Sequence, residues 1–329
     1  MNDNKPQNQK YLVVKAKGGM GNRMLCAATG IIYGKVTDRK TIVDWRDASY
    51  STDGSNTFSR FFECPSVYPE TILPKDVTIR PRVWEGTLHK SMGQMLHKYD
   101  PDKHSSIRIH RKYSIDVRRV DYDEDIIVFW HYTGRIRNLK PHLRNGLDGY
   151  GGLEVNGIIR KVLSEKMVLQ PDIRQRIDDF KAKYWSEKVI GVHIRHTDRK
   201  INLAKYERHL RRFLKRFPDA HIFLATDNQQ VNQDYRERFK RVFSTPKWYP
   251  EGIASMHQNV NCPDKVANGI EALVDMYLLA ECDCLIYSGY STFSLISRIL
   301  SDAQPENIAD IDLFNPIVRL KRLIRELVA

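Results

Sequence analysis

The segment Gly191-Val-His-Ile-Arg-His-Thr-Asp-Arg199 places charged and hydrogen-bonding side chains directly after an apolar run. In a strand, residues two apart share a face, so His193 and Arg195 point the same way. His196, Thr197, Asp198 and Arg199 then fall in the loop at the strand's carboxyl edge, where a parallel α/β sheet binds its ligand. Arginine is permanently charged, and its planar fork matches two phosphate oxygens at once. Breaking a sugar–phosphate bond leaves extra charge on the phosphate oxygen, and a fixed cation there lowers the barrier. The competing reading is a solvated strand end with incidental charges.

Three further stretches carry polar groups at comparable places. Phe223-Leu-Ala-Thr-Asp227 runs a strand into a carboxylate, which suits the edge of a guanine or ribose, or equally a helix cap. Tyr287-Ser-Gly-Tyr-Ser-Thr-Phe293 leads hydroxyls into a helix, so Ser291 and Thr292 suit a phosphate at the helix start or an ordinary N-cap. Gly18-Gly-Met-Gly-Asn-Arg23 is a glycine turn that opens a helix. It lacks the dinucleotide pattern, since Met24 takes the last glycine position, and alone it reads as a structural turn.

A metal is not expected. Asp121-Tyr-Asp-Glu-Asp125 has the Asp-x-Asp spacing of metal-dependent transferases, but it precedes a strand and reads better as a solvated acidic turn. No His or Cys spacing suits zinc. Asp44, Asp47 and Glu207 are candidate bases for an acceptor hydroxyl, with structural roles as the alternative.

The elements that must position these groups alternate. Tyr11–Lys15 reads as a strand, the glycine turn begins a helix through Tyr33, and Thr41–Asp44 is a second strand: a βαβ unit with parallel pairing. Residues 50 to 125 are broken by Pro and Gly into loops and short helices. Asp125–Trp130 is a buried strand, and Pro171 with Asp172 opens a helix to about Tyr184. Strands at Val189–Ile194, His221–Ala225 and Cys284–Tyr287 then alternate with helices at Tyr206–Phe217, Gln230–Phe239, Val266–Ala280 and Thr292–Leu300. The expectation is α/β architecture: two Rossmann-like domains facing across a cleft, 1–184 and 185–315, divided near residues 180–188.

Length and composition agree with this. The 329 residues suit two domains, and 41% hydrophobic with 28% charged residues marks a cored globular protein. Lys plus Arg number 53 against 40 Asp plus Glu, a net charge of +13 that attracts phosphate-bearing partners. The five cysteines form no paired framework, and the polar start lacks a leader or membrane span, so a reducing cytoplasmic setting is expected. Ile317-Val-Arg-Leu-Lys-Arg-Leu-Ile-Arg-Glu-Leu327 is a basic amphipathic helix. It suits either peripheral contact with an anionic membrane or lipid-linked acceptor, or packing back across the domain junction.

Taken in order, Gly191–Asp198, Leu224–Asp227 and the Ser291–Phe293 turn resemble the motifs of α1,6-fucosyltransferases. The likeness is greatest to the rhizobial enzymes that decorate nodulation-factor chitooligosaccharides, and more distant to the eukaryotic core α1,6-fucosyltransferase. It extends to Asp44-Trp-Arg46, Ile173–Asp178, Gly269-Ile-Glu271 and Asp275–Ala280, while Gly18–Asn22 is similar to a turn shared with α1,2- and protein O-fucosyltransferases. The resemblance is close over about 170–300 and thin over 50–165, where acceptor choice would lie.

The resemblance implies a GT-B fold, GDP-fucose as donor in the C-terminal domain, no cofactor, no metal and inversion at the anomeric carbon. It implies Arg195 as the essential phosphate-binding arginine, with His196 where the core enzyme has a second arginine. His193, Asp198, Asp227, Ser291, Thr292, Asn22, Gly21 and His257 become donor-binding positions, and Asp275 falls on a further motif. The core enzyme's glutamate after Arg-Thr-Asp-Lys has no counterpart in Arg199-Lys-Ile-Asn-Leu203, which leaves the base unassigned. The acceptor is expected to be a glycan, including a lipid-linked one, and nucleic acid is not expected as a partner. A different GDP-sugar, an α1,2 linkage, or a non-catalytic sugar- or nucleic-acid-binding protein on the same scaffold are the alternatives.

Overall fold

The fold arises from a few short apolar runs that can be satisfied only inside parallel sheets. Tyr11–Lys15 (β1) is buried at every position, and it pairs in parallel with Lys40–Asp44 (β2) and Ile126–Phe129 (β4), the latter in turn with Ile79–Arg80 (β3). The computed structural model describes residues 9–101, 106–143, 146–196, 201–250, 261–316, 318 and 320.

By its contacts the chain divides into two units. The first comprises Met1–Gly18, Asn22–Asp47 and Asp53–Val168; the second comprises Gly19–Gly21, Ala48–Thr52 and Leu169–Ala329. The division therefore falls before the helix Pro171–Tyr184 rather than after it. That helix belongs to the second unit because Phe180 meets Phe223 edge-on at 5.6 Å, while Arg174 reaches Glu281 at 2.6 Å.

The first unit has sheet order β2-β1-β4-β3. The β1–β2 crossover is Met20–Val36 (α1), and later helices of this unit include Met92–Tyr99 (α2), Ile107–Tyr113 (α3), Ile136–Leu139 (α4) and Val155–Glu165 (α5). Ser91 and Gln94 form a reciprocal capping box at the start of α2. Beneath the sheet lie Val13, Ile42, Trp84, Tyr113, Val128 and Trp130, and the Trp84 indole N–H donates to the Tyr113 carbonyl at 2.9 Å. Fully burying side chains of this size contributes roughly 1.5–3 kcal/mol each.

The second unit begins with Pro171–Tyr184 (α6) and builds a five-stranded parallel sheet: Val189–Ile194 (β5), His221–Thr226 (β6), Val242–Phe243 (β7), Cys284–Tyr287 (β8) and Ile308–Asp310 (β9). Its order is β9-β8-β5-β6-β7. Leu203–Arg216 (α7), Gln229–Arg238 (α8), Lys265–Ala280 (α9) and Thr292–Leu300 (α10) are the connecting helices. Ile190, Val192, Leu210, Phe213, Ile222, Leu224 and Ile286 form its core.

Of the five cysteines, Cys26, Cys262, Cys282 and Cys284 are buried and Cys64 is half-buried, all as thiols. No described helix is long and apolar enough to cross a membrane. The basic helix expected over 316–329 lies, apart from residues 316, 318 and 320, outside the described residues.

Candidate functional site

The order of the second sheet fixes where its ligand can sit. From β5 the chain moves outward to β6 and β7, then returns to β8 on the other side. Connections leave β5 and β8 in opposite directions, so a crevice opens between their carboxyl ends. The chain leaving β5 carries Arg195 and His196, and the chain leaving β8 is Ser288-Gly-Tyr-Ser291.

His193 is buried at the end of β5, where its ring stacks on Phe293 of α10 at 4.8 Å and 17°. Ile194 is in register with Thr226, which brings the residues after β5 beside Asp227. Asp227 Oδ1 accepts the backbone N–H of His196 at 2.7 Å. It does not cap α8: Asn228 does, accepting from Val231 at 2.9 Å. Asp227 thus fixes the backbone just beyond Arg195.

The opposite wall is held from below. Gly289 N–H donates to Asp310 at 2.9 Å and the Ser288 hydroxyl donates to Asp312, so β9 and the residues just after it supply two carboxylates that shape the turn. Ser291 is then the N-cap of α10, with 2% of its surface exposed. Asn202, Asn228 and Asp264, the N-caps of α7, α8 and α9, each accept a backbone N–H. Ser291 does not: its buried hydroxyl has no partner among the described residues. The first turn of a helix leaves N–H groups without intrahelical carbonyls and carries a positive partial charge.

Gly21, which belongs with this unit, lies against the same helix start. A Cβ there would sit 2.5 Å from the Thr292 carbonyl oxygen and 2.8 Å from the Phe293 nitrogen, so only glycine permits the approach. Gly21 is therefore a packing position at the α10 terminus.

His193, Arg195, His196, Asp227, Ser291, Thr292 and Gly21 all belong to this unit, and the structure gathers them around the two strand ends and the start of α10. Asn22 belongs to the first unit, its amide nitrogen 2.9 Å from where a Gly18 Cβ would stand. Asp198 and His257 lie outside the described residues.

The three candidate bases are each held by a cation. Asp44 is buried against Lys15 Nζ at 2.5 Å and accepts from Arg46 Nε at 2.9 Å. Lys15 also donates to the carbonyls of Leu88 and Lys90, and burial pushes its ammonium below the ordinary lysine range. Asp47 pairs with the fully buried Arg23, and Glu207 of α7 pairs with Arg238 of α8 at 2.5 Å. Asp121 is bound to Arg119 at 2.7 Å on an exposed turn. Among the described residues no three His, Cys, Asp or Glu side chains are grouped to hold a metal ion.

Some structural roles are set by partners far along the chain and are not readable from the residues alone. Phe293 positions His193 by stacking, and Asp310 and Asp312 hold the β8 turn. Asp275, on α9, accepts from Thr245 at 2.6 Å and pairs with buried Lys247, which anchors the chain after β7. Burial raises the Glu271 carboxyl one turn earlier.

Residues 156–324, just over half of the chain, match the profile of Nodulation protein Z (NodZ). The chain belongs to the NodZ family. Among the family's proteins, Nodulation protein Z of Bradyrhizobium diazoefficiens is 23% identical over 344 residues, covering 94% of this chain and 83% of that one. The crystal structure of NodZ alpha-1,6-fucosyltransferase soaked with GDP-fucose aligns over 94% of this chain and 97% of that chain, with a TM-score of 0.62 at 23% identity. A mutant of Arabidopsis thaliana FUT1 in complex with GDP aligns over 92% and 71%, with a TM-score of 0.56 at 15% identity. These likenesses establish a common α/β fold, and the family agrees with the resemblance carried by the sequence motifs.

Proposed function

We propose that the chain is a GDP-fucose-dependent fucosyltransferase of GT-B arrangement that transfers fucose to a glycan acceptor with inversion, without a metal, in an α1,6 or related linkage. Family membership supports the reaction class, and the relative soaked with GDP-fucose supports the donor. The observation that carries the reading is Ser291, a buried N-cap whose hydroxyl meets no protein partner among the described residues. Sited at the α10 terminus beside the β5/β8 crevice, it is suited to a phosphate oxygen.

In this reading Arg195, His196 and the Ser291–Thr292 turn hold the diphosphate, and Asp227 keeps the Arg195–His196 backbone in place. Asp198 and His257 complete the donor contacts, with Gly21 and Asn22 on the glycine-turn side. As the glycosidic bond to phosphate lengthens, negative charge grows on the β-phosphate, where the arginine and the helix terminus stabilise it. The acceptor hydroxyl attacks the opposite face of the fucosyl ring. Asp44, Asp47 and Glu207 are tied to cations, which favours a late proton loss driven by the leaving GDP rather than a strong general base.

GDP release from GDP-fucose, GDP-mannose and other nucleotide sugars, measured in EDTA, tests the proposal without an acceptor. Turnover confined to GDP-fucose and lost in Arg195→Ala is expected. Absence of turnover and binding for every GDP-sugar, or loss of activity in EDTA, would overturn it.

A further inference from the structure

The first sheet also reverses its strand order, and such a reversal marks the ligand-binding edge of an open α/β sheet. Its order, β2-β1-β4-β3, places the switch point between β1 and β4. The chain leaving β1 carries Lys17; the chain leaving β4 is Trp130-His131-Tyr132-Thr133-Gly134-Arg135. Lys17 Nζ donates to the Tyr132 hydroxyl at 2.9 Å. His110, from α3, stacks on His131 at 3.9 Å and 25°, and lies 4.8 Å from the Trp130 ring.

Arg135 closes the row by bonding His131 Nε2. Arginine only donates, so Nε2 must accept and the imidazole is neutral with its proton on Nδ1. Nδ1 lies 2.5 Å from the Thr133 carbonyl oxygen and 3.0 Å from the Thr133 backbone nitrogen. With Nε2 accepting from Arg135, the Nδ1 proton goes to the carbonyl, and the longer contact with the Thr133 N–H is not a hydrogen bond. Burial agrees, lowering His131 to about 2 and His110 to about 4.

The arginine itself is the anomaly. It is 8% exposed, yet its one side-chain bond among the described residues goes to a neutral ring, and none of their carboxylates pairs with it. Burial lowers its pKa to about 10, the direction expected of a cation kept from water without a counter-charge. Asp116, whose field reaches it, is engaged by Arg118 through both carboxylate oxygens. The buried Trp130 indole N–H also lacks a partner among the described residues. The edge has donors in excess and is short of an acceptor.

We propose that the β1/β4 edge is an anion subsite in which Arg135, held by neutral His131, receives the carboxylate or phosphate of an acidic saccharide, while Tyr132 and Lys17 meet its hydroxyls. That this saccharide is the acceptor rests on the transferase reading; the anion site itself does not. A charge-assisted fork to a carboxylate or phosphate is among the stronger polar contacts available.

Calorimetric titration of the full chain saturated with GDP, using glucuronic acid, glucose 6-phosphate and glucose, tests it. Occupying the donor site first removes the competing phosphate site. At least one acidic sugar should bind about tenfold or more tightly than glucose, and the two acidic arms show whether carboxylate or phosphate is preferred. Arg135→Gln should abolish the preference with GDP affinity unchanged, and Arg135→Lys should keep part of it. If the wild type does not favour an acidic sugar, or if Arg135→Gln keeps the preference, the subsite is refuted. Should Arg135→Gln fail to bind GDP through misfolding, the wild-type comparison and Arg135→Lys still decide. Failure of the wild type to bind GDP would count against the transferase reading, while the sugar comparison would still test the subsite.

Discussion

His193 and Phe293 lie ring on ring, 4.8 Å apart and 17° from parallel, joining the end of β5 to the first turn of α10. That contact ties the two sides of the β5/β8 strand ends together, while Asp227 and the Asp310 and Asp312 carboxylates hold each side separately. Aromatic pairs contribute about 0.5–1.5 kcal/mol beyond area burial, so Phe293→Leu should weaken GDP roughly two- to tenfold. Calorimetry with GDP alongside a thermal melt checks this: unchanged GDP affinity would show that the stack has no positioning role.

An ordinary N-cap serine costs about 0.5–2 kcal/mol when replaced by alanine. Ser291 makes no capping bond, so Ser291→Ala should leave the unfolding free energy of the unliganded chain level or higher. GDP affinity should drop about tenfold, as expected for a lost hydrogen bond to a charged group. Urea unfolding and GDP titration of the same sample separate the two effects, and a destabilised variant with full GDP affinity would identify a plain cap.

Gly21→Ala forces a methyl group against backbone atoms of Thr292 and Phe293, which cannot swing aside as a side-chain end can. Overpacking of this sort costs about 1–3 kcal/mol. A lowered melting temperature and reduced donor turnover are expected together, and a neutral melt would mean that the helix start has room to move.

Acid should weaken the first unit through His110 and His131. Their folded values, about 4 and about 2, lie below the ordinary 6.5 because burial disfavours the imidazolium. Between pH 6.5 and 4 the unfolded chain binds protons that the folded chain refuses, so stability is complete above 6.5 and declines as pH falls. Urea midpoints across that window should drop more steeply for the wild type than for His110→Leu; parallel slopes would exclude the histidine contribution.

The strands β1, β5, β6 and β8 are legible because each is a continuous apolar run bounded by polar residues. β3 and β7 are two residues long and have no period to detect. The region between β2 and β4 yields helices α2 and α3, whose serine caps are local signals but whose short lengths depend on packing against Trp84. Arg195 and His196 are readable because charges crowd a strand end, and Asp227 because it ends the neighbouring strand. Sequence leaves Asp227 divided between cap and ligand roles, and the neighbouring Asn228 takes the cap. Burial of charge has no local signature: Lys15 and Asp44 meet from two strands, and Arg135 looks like any loop arginine until its surroundings are built. The allegiance of α6 is likewise decided by Phe223 and Glu281, far along the chain.

The thiols have a practical consequence. Four of the five are buried, with Cys26 pushed up to about 12 and Cys284 to about 11, so they are poor nucleophiles in the native state. Burial raises the Cys64 thiol as well, but Cys64 is only half-buried and so is the most accessible of the five. A maleimide dye applied to the folded chain should therefore settle at one position in the first unit, giving a spectroscopic handle without removing a single cysteine.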